Sequence, residues 1–161
     1  MFKKKYELIP SNKNGLYRIK AIRDFGNIKT GDIGGYIESE ENLSHNGDAW
    51  VCDDAKVYGD AWVCGDAKVY DDAKVFGNAK VYGDAKVCGD ADYIVFKNWW
   101  SSGRYFTWTR SNNKWAVGCF YGTGEELIAK AYKDSEKSGK EYERIVRYVE
   151  KILKETINEK N

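Results

Sequence analysis

Small apolar residues recur with a period of six through the middle of this chain. From Val51 to Asp92 the sequence runs V-C-D-D-A-K, V-Y-G-D-A-W, V-C-G-D-A-K, V-Y-D-D-A-K, V-F-G-N-A-K, V-Y-G-D-A-K, V-C-G-D-A-D, with no residue inserted or missing. Val at the first position and Ala at the fifth are expected to point inward, while the residues between them turn. A period this short and strict predicts stacked rungs of chain. Gly59, Gly65, Gly77, Gly83 and Gly89 hold the third position, where positive φ is cheap, and Asp53 and Asp71 replace Gly there with a residue type that tolerates the left-handed region. The Asp or Asn that follows, from Asp54 to Asp90, can accept hydrogen bonds from turn amides, so these carboxylates read as turn structure before they read as metal ligands or acids. Counting backward in sixes places Ile33 and Ile37, Ser39 and Leu43, then His45 and Ala49 at the inward positions, giving ten hexads from Ile33 to Asp92.

Outside the repeat the pattern changes. Tyr17, Ile19 and Ala21 alternate with polar residues and predict a strand in an N-terminal cap, where Arg18 and Arg23 read as a solvated face. After the hexads, Tyr105, Thr107 and Thr109 alternate with Phe106, Trp108 and Arg110, and Ser111 to Lys114 turn into Trp115, Val117 and Cys119, which predicts a hairpin with one aromatic face. Thr123 with Glu126 has the spacing of a capping box before Leu127, Ile128, Ala131 and Tyr132. Ser138 with Glu141 repeats that spacing before Tyr142, Ile145, Val146 and Val149, so a helix or a helix pair should follow. The expected segments are a strand and cap over 1–32, the repeat over 33–92, an aromatic hairpin over 93–122 and a helical segment over 123–161.

The hexads resemble the hexapeptide repeat of left-handed parallel β-helices, in which three hexads make a triangular coil. The resemblance implies a mainly β fold: a short left-handed parallel β-helix with a C-terminal β-hairpin and an α-helical segment. Residues eighteen apart would then stack, placing Cys52, Tyr70 and Cys88 on one face, Tyr58 and Phe76 on a second, and Cys64 and Tyr82 on a third. Aromatic ladders on every face are a large apolar burden for a monomer, and such β-helices are commonly trimers. A homo-oligomer, with a trimer favoured, is therefore expected. Y-R-I-K-A-I-R-D-F-G, G-D-I-G-G-Y-I-E-S-E-E-N-L-S and S-S-G-R-Y-F-T-W-T-R also resemble stretches of small hypothetical proteins encoded by phages and prophages of Gram-positive bacteria, which implies a partner in the host.

The 26 Lys and Arg against 25 Asp and Glu give a formal charge of +1, which does not point to nucleic acid. No apolar run of membrane-spanning length and no signal peptide is evident, so a cytoplasmic location is expected, that of the host cell if the protein is phage-encoded. The four cysteines read as reduced thiols, and no metal or other cofactor is expected.

Two kinds of chemistry compete. His45 is the lone histidine and the only weak catalytic candidate, for an acyltransferase-like reaction that the hexad resemblance suggests; no nucleophile motif accompanies it. The alternative is binding without catalysis. Trp99, Trp100, Arg104, Tyr105, Trp108 and Arg110 combine flat rings with guanidinium groups, a mixture suited to stacking a base and holding phosphate, or to gripping a protein. The expected function is a non-catalytic binding protein acting on a host component, with sequestration of a nucleotide signal in an anti-defence role as its sharper form. Inhibition of a host protein and a purely structural oligomerisation module remain alternatives.

Overall fold

The computed structural model describes residues 3–159; Met1, Phe2, Lys160 and Asn161, which belong to the expected terminal segments, lie outside the described residues. Three longer strands come first: β1 (Tyr6–Pro10), β2 (Tyr17–Ala21) and β3 (Ile33–Ile37). Each hexad then contributes only two extended residues before its turn. These are β4 (Trp50–Val51), β5 (Lys56–Val57), β6 (Trp62–Val63), β7 (Lys68–Val69), β8 (Lys74–Val75), β9 (Lys80–Val81) and β10 (Lys86–Val87). Within the repeat, strands pair in parallel with partners eighteen residues away, as in Val57 with Val75 and Val63 with Val81. Val57, Val75, Ala61 and Ala79 are buried, as the six-residue pattern predicts.

The sheets depart from the expected left-handed parallel β-helix. The strands form four small sheets, ordered β1-β2-β3-β5-β8, β10-β7-β4 and β6-β9, plus a four-stranded antiparallel sheet near the C-terminus. The first is mixed, because β1, β2 and β3 pair antiparallel before β3 pairs parallel to β5. Among the described residues no sheet closes on itself or coils as a solenoid, so the left-handed parallel β-helix is not the architecture. Two extended residues per hexad are too few to carry a ladder around the turn, and the small sheets stay separate. The C-terminal hairpin is corrected too. Strands β11 (Tyr93–Lys97), β12 (Tyr105–Thr109), β13 (Lys114–Val117) and β14 (Phe120–Gly122) pair in sequence order, so the predicted pair has a further strand on each edge.

The register also slips where the hexads were extended backward. Ile37 pairs with Val57 and Leu43 bridges to Val63, offsets of twenty, whereas Val51 pairs with Val69 at eighteen. Two extra residues therefore lie between Leu43 and Val51. Ile37 and Leu43 occupy first positions, and Ile33, expected inside, is 49% exposed. Gly65 shows why small residues hold the third position: its φ is +71°, and a Cβ there would come within 3.0 Å of the Gly83 backbone. Asp53 and Asp71 take the same left-handed conformation at φ 52° and 57°, but Gly89, where the repeat ends, is extended.

Side chains finish the exposed backbone at both ends of the repeat. At the first end Lys5 is fully buried and its Nζ donates to the carbonyls of Gly47 and Ala49 at 3.1 and 2.7 Å, while Asn42 donates to those of Gly59 and Ala61. Burial, with Lys68 and Arg23 nearby, pushes the Lys5 ammonium down to about 8. Arg18 spans β2 and β3, donating to Gly34 O and Tyr36 Oη. At the far end the amides of Lys80 and Lys86 donate to Thr107 Oγ1 and Ser111 Oγ, and Tyr93 Oη donates to Lys74 O. Satisfying these groups removes the edge that short strands would otherwise offer to another chain.

The four-stranded sheet has two working faces. Thr107 looks toward the repeat, whereas Phe106, Trp108 and Trp115 pack under helices α1 (Gly124–Asp134) and α2 (Glu136–Glu159) in a second hydrophobic cluster. The Thr123–Glu126 capping box forms as the spacing predicts. The second cap lies elsewhere: Ser135 Oγ accepts from Ser138 N, which leaves Ser138 inside α2. All four cysteines are free. No helix among the described residues is long and apolar enough to cross a membrane.

Candidate ligand-binding site

The loop from Asn98 to Arg104 between β11 and β12 is organised by one buried amide. Asn98 N donates to Arg104 O and Asn98 O accepts from Gly103 N, closing the loop; Asn98 Oδ1 accepts from Ser101 N and Oγ, and its Nδ2 donates to Tyr142 Oη on α2. This ties the loop to the helix. Gly103, at φ +71°, supplies the left-handed turn that returns the chain to β12.

Two cavities meet at Arg104. One, of about 360 Å³, opens between the loop, the sheet and both helices, and its walls include Ser102, Phe120, Leu127, Lys130 and Tyr142. The other, of about 480 Å³, lies against the repeat and includes Asp60, Lys80 and Tyr105. Arg104 and Cys119 belong to both. Gly118 makes room for the guanidinium: a Cβ at this left-handed residue, φ +57°, would approach Arg104 Nη1 to 2.9 Å. The wall of the first cavity is mostly polar, with Val117, Phe120 and Leu127 in its apolar part, and a concave cleft where polar groups converge is a usual place for a small ligand.

Of the residues picked from the sequence, Arg104 lines both cavities and Tyr105 the second, whereas Trp99 and Trp100 line neither. Trp99 stands at the loop tip, 70% exposed and edge-on to Trp100 at 6.0 Å. Trp100 is half-buried; its Nε1 donates to Ser138 Oγ at 3.1 Å, and its ring meets Tyr142 edge-on at 4.9 Å. Tyr105 faces the second cavity with Lys97 over its ring at 5.7 Å. Trp108, in contrast, is buried beneath the helices and its Nε1 donates to Asn113 Oδ1. Arg110 follows the other end of β12, roughly 20 Å from Arg104 at about 3.3 Å per residue, beside Asp92. Arg104, Trp108 and Arg110 thus do not form one stacking platform. The groups missed from the sequence are Tyr142, Ser138 and Lys130. Tyr142 read as part of an apolar helical stripe, Ser138 as a helix cap, and Lys130 as an exposed helix residue.

His45 sits apart, at the N-terminal end of the repeat. Its ring stacks on Tyr6 at 4.0 Å, Nδ1 accepts from Lys5 N at 3.2 Å, and Nε2 lies 3.4 Å from Glu40 Oε1. Burial lowers its pKa, against the opposing pull of Glu40. These contacts join β1 to the repeat. Because the unfolded imidazole takes up a proton near pH 6.5 while the folded one resists, stability should fall as pH drops through that value. Melting curves at pH 7.5 and 5.5 should separate the parent from His45→Gln by a smaller acid loss in the variant; equal losses would assign the pH dependence elsewhere. Among the described residues no group of three His, Cys, Asp or Glu is placed to hold a metal ion. No protein-family model matches the chain, and no curated protein matches its sequence.

Proposed function

We propose that the protein acts by binding rather than by catalysis, and that its ligand is held in the cavity beside Arg104. The observation that carries this reading is the meeting of two cavities at one guanidinium, with the rings of Phe120 and Tyr142 in one wall and of Tyr105 in the other. A flat anionic molecule suits that mixture: rings and alkyl groups cover an apolar body, and Arg104 holds its charge. A host nucleotide signal, sequestered in the host cytoplasm in an anti-defence role, is the ligand class consistent with this chemistry and with the resemblance to phage-encoded proteins. The position of His45, tied into β1 contacts and far in sequence from this loop, favours binding over acyl transfer.

A second reading, capture of a host protein, is favoured by the exposure of Trp99, because Trp and Arg are frequent interface hot spots. Assembly into a trimer is part of the proposal and draws on the aromatics of the repeat. Tyr58 stacks on Phe76 at 5.2 Å with Phe76 47% exposed, and Trp62 is 40% exposed, although Tyr121 and Trp62 shelter Tyr82.

Arg104→Gln is the direct test. Calorimetric titration with nucleotides should show affinity weakened by about 1.5 to 3 kcal/mol, the value of a charge-assisted hydrogen bond, with melting unchanged because the side chain is exposed. Equal binding by parent and variant would move the ligand away from this cavity. Arg110→Gln should leave nucleotide affinity unchanged, since that residue lies at the far end of the strand.

A further inference from the structure

The hydrogen-bond polarity of the cavity between the Asn98 loop and the helices narrows its ligand further. Tyr142 Oη accepts from Asn98 Nδ2 at 3.3 Å, Ser138 Oγ from Trp100 Nε1 at 3.1 Å, Ser135 Oγ from Ser138 N at 3.0 Å and Ser102 Oγ from Arg104 N at 3.2 Å. Each of these wall hydroxyls has its oxygen engaged by a protein donor and retains its own proton to give away. Burial raises the Tyr142 pKa, so its phenol stays protonated at neutral pH. Ser101 is the exception among these hydroxyls, donating to Asn98 Oδ1 at 3.1 Å. Arg104 and Lys130 add cationic donors, and the one carboxylate among the described residues of the wall, Asp134, lies 3.9 Å from Lys130 Nζ. Protein donors at both the cationic and the neutral positions leave few places for a ligand's own N–H or O–H groups.

We infer that this cavity is a donor cradle for a phosphate-bearing ligand, with Tyr142, Ser138 and Lys130 joining Arg104 around the oxyanion while Phe120 and Leu127 cover an apolar body. The inference rests on the reading of this cavity as the ligand site and adds the class of group that it holds. A phosphoryl group presents only acceptors, so it matches such a wall without leaving a buried donor unpaired. A ligand without acceptors at that position would strand the Tyr142 and Ser138 protons.

Titrations of the full chain with AMP, adenosine, pyrophosphate and inorganic phosphate test it. AMP should bind at least tenfold more tightly than adenosine, and pyrophosphate should compete with it. Tyr142→Phe, which keeps the ring, and Lys130→Gln, which is exposed and cannot disturb the core, should each weaken AMP about five- to tenfold, with melting temperature as the folding control. Adenosine binding as well as AMP, or no phosphate compound binding at millimolar concentration, overturns the inference. If Arg104→Gln loses AMP while Tyr142→Phe and Lys130→Gln bind it like the parent, the donor cradle is wrong and the ligand site stands. If all variants bind AMP equally, the cavity assignment fails with it.

Discussion

Val75→Asp should abolish cooperative folding. Val75 is fully buried in the repeat, its carbonyl accepts from Tyr58 N, and it stacks on Val57 among Val and Ala residues that offer no hydrogen-bond partner to a carboxylate. An unpaired charge in such a place costs more than about 4 kcal/mol, a large share of the roughly 5 to 15 kcal/mol by which domains are stable. Lys74→Ser, one residue away on the exposed side, should change stability by less than about 0.5 kcal/mol. Urea unfolding followed by circular dichroism compares the two. A Val75→Asp protein with an unfolding midpoint near that of the parent would mean that the inward phase of the hexads is wrong.

Phe106→Ala should cost about 3 to 5 kcal/mol by a different mechanism, the loss of a large side chain from a packed core. Phe106 is fully buried at the centre of the aromatic cluster, 5.6 Å from Phe96, 5.9 Å from Trp115 and 5.0 Å from Tyr142, measured between ring centres. Its removal takes support from both the sheet and α2, so the Asn98–Tyr142 link and the cavity beside it should loosen together. Tryptophan emission should shift to the red at lower urea than in the parent. The repeat, whose Val and Ala form a separate cluster, should keep its own burial until higher urea. Loss of both clusters at one midpoint would show that they unfold as a unit, and an unchanged midpoint would remove Phe106 from the core.

The inward phase of the repeat was legible because Val and Ala recur at a fixed spacing that only one face can use. Its N-terminal extension misled for a physical reason. Ile37 and Leu43 are six apart, so they fit the period wherever the frame is placed, and the two extra residues hide in the polar run S-H-N-G-D before Ala49. The fold inference from the hexads overreached: spacing determines which residues face inward and leaves open whether two-residue strands join into a continuous coil. Near the site, the alternation that buries Phe106 and Trp108 was visible, but alternation alone cannot distinguish an aromatic face that binds a ligand from one that packs under helices. Trp108 belongs to the second kind. Tyr142 and Ser138 reach the cavity through a tertiary contact between α2 and the Asn98 loop, which no local pattern encodes.

On this reading the chain holds a small anionic ligand at Arg104 without transforming it. Native mass spectrometry of the parent and of Arg104→Gln, both purified gently from the same cells, tests it most directly and reports subunit number in the same spectrum. The parent should appear as an assembly carrying a small-molecule adduct, released unaltered on denaturation, and the variant as an assembly of the same size without it. A parent free of adduct, or an adduct equally retained by Arg104→Gln, would mean that Arg104 does not hold such a ligand.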